Sequence, residues 1–139
     1  MTKNNFRSNC PLNVGIETFG DRWSLLIIRD LMFFGKRHYN EFLVSHEGIA
    51  TNLLADRLKR LEEVGIIWKS RDPSHKQKIR YSLTEKGIDL LPIIVEIGMW
   101  SEKYFDDLAA NRDLVLGPYK KKGKRGLEEV KEYLKVQHS

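Results

Sequence analysis

The sequence of 139 residues contains a single cysteine, Cys10, so it cannot form an internal disulfide bond. It also lacks a long apolar run, because Pro92 and Glu96 interrupt its most hydrophobic stretch, residues 90–100. That stretch is too short to cross a bilayer. The first residues, MTKNNFRSN, are polar and lack the apolar segment of a secretory signal. These absences argue against a secreted or membrane protein and predict a reducing, cytoplasmic location.

Residue patterns typical of catalysis or metal binding are also missing. The four histidines, His38, His46, His75 and His138, show no ligand spacing, and one cysteine cannot form a thiolate metal site. No pair of carboxylates and no nucleophile with a neighbouring base stands out. The sequence therefore predicts a protein that is not an enzyme and that holds neither a metal nor a cofactor.

The charge of the chain is unevenly distributed. The net charge is +5, and the composition, 41% hydrophobic and 31% charged, is typical of a globular domain. Residues 57–80 hold eight basic and three acidic side chains, whereas residues 81–116 hold three basic and seven acidic ones. A central basic segment is typical of a surface that binds a polyanion, and an ordinary solvated face is the alternative.

Hydrophobic spacing predicts the order of the secondary structure elements. A helix follows Pro11, a second runs from Asp21 or Ser24 to Gly35, a short third helix lies in RHYNEFLVS, and a fourth spans residues 50–64. The period then changes to two in IIWKSR and KIRYSL, two strands joined by DPSHKQ. Thr84 is a suitable N-cap for a last long helix, which Pro92 kinks or splits.

This order predicts a mainly α fold with a two-stranded β-wing, that is, a winged helix-turn-helix domain that dimerises through its terminal helices. We place this DNA-binding and dimerisation domain at residues 1–116. The basic, glycine-broken segment YKKKGKRG and a short amphipathic helix then make up residues 117–139.

The helix predicted at residues 50–64 has two contrasting faces. Leu54, Leu58 and Leu61 fall in one narrow sector, whereas Asn52, Asp56 and Lys59 lie opposite, with Thr51 and Ala55 beside them. A helix that enters the major groove needs a buried side for rigidity and short polar groups in its first turns. Asn52 can pair with adenine, and Thr51 can contact a phosphate or a thymine methyl group. A solvated helix with ordinary capping residues is the alternative.

The basic ribbon beside this helix extends the candidate surface. The tip of the ribbon would lie along the DNA backbone or the minor groove, and two arginines are further phosphate candidates. The predicted DNA-binding residues are Arg37, Thr51, Asn52, Ala55, Asp56, Arg57, Lys59, His75, Lys76 and Lys78.

Four segments carry a family resemblance in register over roughly residues 10–105: CPLNVGIETFGDRWSLLIIRDL, RHYNEF, LADRLKRLEEVGII and RYSLTEKG. They resemble the HxlR-type winged helix-turn-helix transcriptional regulators, which are MarR-like. The resemblance implies a dimeric bacterial regulator that binds a palindromic double-stranded DNA operator. By position, Thr51, Asn52, Ala55 and Asp56 would read bases, and residues 72–78 would form the wing. Two departures are Ala50, where many relatives have serine, and a short basic wing without a proline-rich tip.

The last helix is apolar on more than one side. We expect Ile94, Ile97, Met99 and Trp100 to be buried against a second copy of the chain, and packing on the first helix is the alternative.

Cys10 is a candidate redox-sensing residue. It precedes a helix, whose N–H groups and dipole would stabilise a thiolate. Some members of the family that the chain resembles use the cysteine of this Cys-Pro pair as a sensor. An indifferent or structural thiol is the alternative. A thiol-reactive compound, or a small molecule bound between the dimer helices, would be the effector. The rival function for the whole chain is a winged-helix module that binds protein and no nucleic acid.

Overall fold

The computed structural model describes residues 5–139, which form eight helices and one two-stranded antiparallel sheet. In chain order the elements are α1 (Pro11–Phe19), α2 (Ser24–Phe33), α3 (Tyr39–Leu43), α4 (Thr51–Glu63), β1 (Ile67–Asp72), β2 (His75–Leu83), α5 (Glu85–Ile88), α6 (Leu91–Tyr104), α7 (Arg112–Lys122) and α8 (Lys124–Gln137). The prediction of a mainly α fold with a β-wing is confirmed. Each helix within residues 5–139 is too short or too polar to span a bilayer.

Local capping explains where several helices begin. Pro11 opens α1, where its missing N–H costs nothing. The Asp21 carboxylate accepts hydrogen bonds from the N–H groups of Trp23 (2.8 Å) and Ser24 (2.9 Å) at the start of α2. The Thr84 hydroxyl accepts the N–H of Gly87 at 3.1 Å in the first turn of α5. Pro92 then lies in the first turn of α6, so the predicted last helix is split, as the sequence indicated.

The second strand of the wing begins three residues earlier than the sequence predicts. Pairing runs from Ile67 opposite Leu83 to Asp72 opposite His75, with an irregularity between Arg71 and Asp72. Only residues 73–74 form the turn, so His75 and Lys76 lie in β2 and not in a connecting loop. The sequence-based boundary was wrong because polar residues at an exposed hairpin tip show no hydrophobic alternation.

The core lies between the helices and one face of the sheet. Leu54, Leu58 and Leu61 of α4 are buried, at most 2% exposed. They share the core with Phe42 of α3 and with residues of α2, the sheet and α6. Because this seam repeats every three or four residues, α4 is held along its whole length and its opposite face is left in solvent.

The C-terminal segment is helical where a linker was predicted. Gly117 and Pro118 lie inside α7, and the predicted boundary between residues 116 and 117 falls within this helix. Leu116, 2% exposed, packs close to Gly98 of α6. The prediction of a glycine-broken linker in YKKKGKRG, residues 119–126, was therefore wrong, since this stretch is helical apart from Gly123 and the packing of α7 and α8 outweighs its two glycines and basic run. The predicted amphipathic helix is present as α8, with Leu127 and Leu134 buried.

Candidate DNA-binding surface

The face of α4 opposite its leucine seam is open to solvent. Thr51, Asn52, Ala55, Asp56 and Lys59 are all exposed, in agreement with the facial pattern of the sequence. These side chains offer hydroxyl, amide, methyl, carboxylate and ammonium groups along the first two turns and the start of the third. Such a set can contact base edges and phosphates when the helix lies in a major groove.

The N-terminus of α4 has free hydrogen-bond donors. Its N-cap is Ala50, whose side chain makes no capping hydrogen bond, and the first intrahelical bond joins the N–H of Leu54 to the carbonyl of Ala50 at 2.9 Å. The N–H groups of residues 51–53 are therefore available to an anion, and the helix dipole favours negative charge at this end. The Tyr39 hydroxyl donates to the carbonyl of Thr51 at 2.9 Å and links α3 to this turn.

Two arginines connect α4 to the N-terminal part of the chain by hydrogen bonds. The Arg57 Nε donates to Asp21 Oδ1 at 3.1 Å, and its Nη1 donates to Asp56 at 2.5 Å. Arg60 donates to the backbone carbonyl of Glu17 in α1. The prediction of Arg57 as a phosphate contact needs correction, because its half-buried guanidinium binds two carboxylates. Arg57 instead links α4 to Asp21, whose carboxylate accepts the N–H groups of Trp23 and Ser24.

The wing presents the second part of the surface. Every residue from Pro73 to Ile79 is exposed, including the predicted contacts His75, Lys76 and Lys78. Among the ion pairs of residues 5–139, none involves Lys76, Lys78 or Lys59 of α4. These three side chains are therefore available to pair with a phosphate backbone.

His38, which precedes α3, contacts the last residue of β1, Asp72. The His38 Nε2 lies 2.5 Å from Asp72 Oδ2, and its Nδ1 lies 2.7 Å from Glu41 Oε1. The other oxygen of Asp72 accepts hydrogen bonds from the hydroxyl and the N–H of Ser74. The Ser74 hydrogen bonds, together with His38, hold the pKa of Asp72 well below its usual range. Asp72 therefore stays ionised and fixes the hairpin turn relative to α3.

Arg37 lies at the other end of the wing. Its Nε donates to the Tyr81 carbonyl at 2.7 Å, its Nη2 to Ser82 Oγ at 2.6 Å, and its Nη1 to the Gln137 carbonyl at 3.3 Å. The predicted phosphate role of Arg37 needs correction, because its guanidinium is engaged by β2 and α8. No local pattern of residues predicts these bonds or the His38–Asp72 contact, whose partners are 34 to 100 residues apart.

The predicted dimer residues divide between core and surface. Ile94 is 9% exposed and belongs to the core of the single chain, so that part of the prediction needs correction. Met99 is half-buried against the core, whereas Ile97 and Trp100 are 49% and 60% exposed. Helix α1 also exposes apolar side chains, Leu12 and Ile16. Trp100 packs on Tyr104, with ring centroids 5.6 Å apart, and both rings face solvent.

Cys10 is exposed at the N-terminus of α1. Hydrogen bonds from the backbone N–H groups of Asn13 and Leu12 lower the pKa of its thiol. The guanidinium of Arg7, which is near Cys10 in the sequence, contacts Glu17 and Asn13 instead. The thiol is accessible and more acidic than an ordinary cysteine, which favours reaction with an oxidant or an electrophile.

Comparisons with known proteins agree with this architecture. Residues 18–109, about two thirds of the chain, match the model of the HxlR-like helix-turn-helix family. The uncharacterised HTH-type transcriptional regulator YdeP of Bacillus subtilis is 33% identical over 97 residues, which cover 70% of this chain and 75% of YdeP.

Solved structures share the fold. The crystal structure of PA1607 has a TM-score of 0.66 and 38% identity, covering 76% of this chain and 70% of PA1607. The redox regulator HypR in its oxidised form has a TM-score of 0.61 and 31% identity, covering 70% of this chain and all of HypR. The exposed polar face of α4, the basic wing and these similarities lead to one conclusion: the chain belongs to the HxlR-like helix-turn-helix family of transcriptional regulators.

Proposed function

We propose that this protein is a homodimeric, sequence-specific DNA-binding regulator that inserts α4 into the major groove and lays the wing along the phosphate backbone. The observation that carries the proposal is the exposed polar face of α4, which includes Lys59, together with Lys76 and Lys78 of the wing; among residues 5–139 these three lysines form no ion pair. Thr51, Asn52, Ala55 and Asp56 would face the bases. Lys59, His75, Lys76 and Lys78 would contact phosphates. A regulator of this kind would act on DNA in the cytoplasm.

Dimerisation would be provided by the exposed apolar side chains of α1 and α6. A two-fold dimer presents two copies of α4, and it would recognise a palindromic operator whose half-sites lie about one helical turn apart.

Selection of binding sites from random duplexes tests this proposal without knowledge of the operator. The purified full chain should enrich an inverted repeat with half-site centres about 10 base pairs apart, and its affinity should fall steeply with salt. If no duplex sequence is enriched at low salt, the chain is not a sequence-specific DNA-binding protein, and the protein-interaction module becomes the better account.

We further propose that Cys10 is the site of a redox or thiol-reactive signal. The exposed thiol with a lowered pKa supports this, as does the similarity to the redox regulator HypR. Diamide treatment should change the affinity of the wild-type protein for the selected duplex and leave the affinity of Cys10→Ser unaltered. Equal responses of the two proteins would exclude Cys10 as the sensor.

A further inference from the structure

A groove lies between the end of α2 and the C-terminal hairpin α7–α8. Its volume is about 440 Å³, within the range of small-molecule sites. Its apolar lining includes Leu31 of α2, Leu114 and Pro118 of α7, and Val130 and Leu134 of α8. The family match ends at residue 109, so two walls of the groove are built from residues beyond the matched region.

One charged side chain, Arg37, lines this groove, and none of the lining residues is acidic. All three acceptors of the Arg37 guanidinium are neutral: two backbone carbonyls and the Ser82 hydroxyl. Among the ion pairs of residues 5–139 there is none for Arg37. The half-buried guanidinium therefore has no carboxylate in direct contact, which is costly because burial weakens its solvation.

The half-buried Arg37 lies near a second cation as well as two carboxylates. Burial and the nearby charge of Arg80 lower the pKa of Arg37, whereas the charges of Glu41 and Asp72, neither of which forms an ion pair with the guanidinium, raise it. His138, which also lines the groove, uses its Nδ1 to accept the N–H of Leu83 at 2.9 Å. The bond from Arg37 to the Gln137 carbonyl, at 3.3 Å, is the longest of the three and is exposed. An incoming acceptor could replace it.

We propose that the groove binds a small organic anion that has one carboxylate and an apolar body. The carboxylate pairs with the Arg37 guanidinium in place of the Gln137 carbonyl, and the body packs against Leu31, Leu114 and Leu134. Charge-assisted hydrogen bonds between arginine and carboxylate are among the strongest in proteins. The groove therefore complements the ligand in both charge and polarity.

A ligand in the groove would alter the position of the wing. Arg37 also holds Tyr81 and Ser82 at the base of β2, so a ligand that pulls on the guanidinium or displaces α8 changes the support of the wing. This regulatory consequence rests on the proposed DNA-binding function, whereas binding itself does not.

The test uses the full chain labelled with ¹⁵N, without DNA. Phenylacetate, benzoate and octanoate are titrated to millimolar concentration while amide shifts are followed, with 2-phenylethanol as the uncharged counterpart of phenylacetate. At least one acid should give saturable shifts centred on residues 31–37 and 130–138. Arg37→Gln should weaken this binding about tenfold or more, as expected for loss of a charge-assisted hydrogen bond. Arg22→Gln, at an exposed arginine outside the groove, should bind as the wild type does.

A second variant tests the proposal even if Arg37→Gln does not fold. Leu114 is 56% exposed at the rim, so Leu114→Glu should fold normally, introduce negative charge and abolish binding. The proposal is overturned if none of the acids shifts the groove residues, if 2-phenylethanol binds as tightly as phenylacetate, or if Leu114→Glu has no effect. Failure of the DNA selection would leave these readouts unchanged, so the two proposals fail separately.

Discussion

His138 is a buried histidine that attaches the end of α8 to the wing. It is 4% exposed, its Nδ1 accepts the N–H of Leu83, and its carbonyl accepts the indole N–H of Trp68 at 3.3 Å. Burial, together with the charges of Arg37 and Arg80 and despite a hydrogen bond with the Leu31 backbone, lowers the pKa of His138 to about 4. The folded protein therefore holds the neutral imidazole at pH 7.

This pKa predicts acid sensitivity. Between about pH 6.5 and pH 4 the unfolded chain protonates His138 and the folded chain does not, so stability is lost as the pH falls. The full effect is on the order of 3 kcal/mol in the free energy of unfolding. Urea unfolding at pH 7 and pH 5 measures it, and His138→Gln, which keeps an acceptor for Leu83, should lose much of the pH dependence. His75→Gln, at an exposed position, should retain it. An unchanged pH dependence in His138→Gln would refute this assignment.

Residues whose roles depend on the faces of one element were predictable from sequence. The exposed residues of α4 follow from its period of 3.6 residues, because burial of the leucine seam turns the opposite face of the helix to solvent. Arg37, Arg57 and Ile94 were misplaced for a different reason. Their environments are set by partners from other elements, such as Ser82 and Asp21, and no local spacing encodes such pairs.

At the scale of elements, the α7–α8 hairpin depends on close approach of its two helices. A Cβ added at Gly126 in α8 would overlap the carbonyl oxygen of Pro118 in α7. Gly126→Ala should therefore force the helices apart and cost about 1–3 kcal/mol in the free energy of unfolding.

Gly117→Ala is the matched control, because an added Cβ at Gly117 meets no atom within 4 Å. This change in α7 should be neutral or should stabilise the chain by up to about 1 kcal/mol, since alanine loses less backbone entropy than glycine in a helix. Urea unfolding of both variants makes the comparison. Equal stabilities would mean that the hairpin does not pack as described.

The element order was predictable, but the C-terminal hairpin was not. Helix starts carried clear signals, such as Pro11 and Thr84. In α7, by contrast, Gly117 and Pro118 are typical of a break, and the helix continues because Leu116 packs on α6 and Gly126 of α8 lies against Pro118. Tertiary packing outweighs local propensity there.

At the scale of the whole molecule, the apolar side chains left exposed on α1 and α6 predict a dimer. Trp100→Glu would place a charge in the interface and should convert the protein to a monomer. Val136→Glu, which replaces an apolar side chain on α8 that is 72% exposed, should remain dimeric. Sedimentation velocity distinguishes the species. A monomeric wild type, or a dimeric Trp100→Glu, would show that this face is not the interface.

The most direct test of the account is the affinity of Asn52→Ala for the duplex obtained by selection. Asn52 is the second residue of α4 and its side chain is exposed. Loss of its amide should weaken binding to that duplex about tenfold or more and relax the preference at one base pair. The dependence of affinity on salt should not change. Glu63→Ala, at the far end of the same helix, should bind as the wild type does. If Asn52→Ala binds the selected duplex with wild-type affinity and preference, α4 does not read DNA in the way proposed.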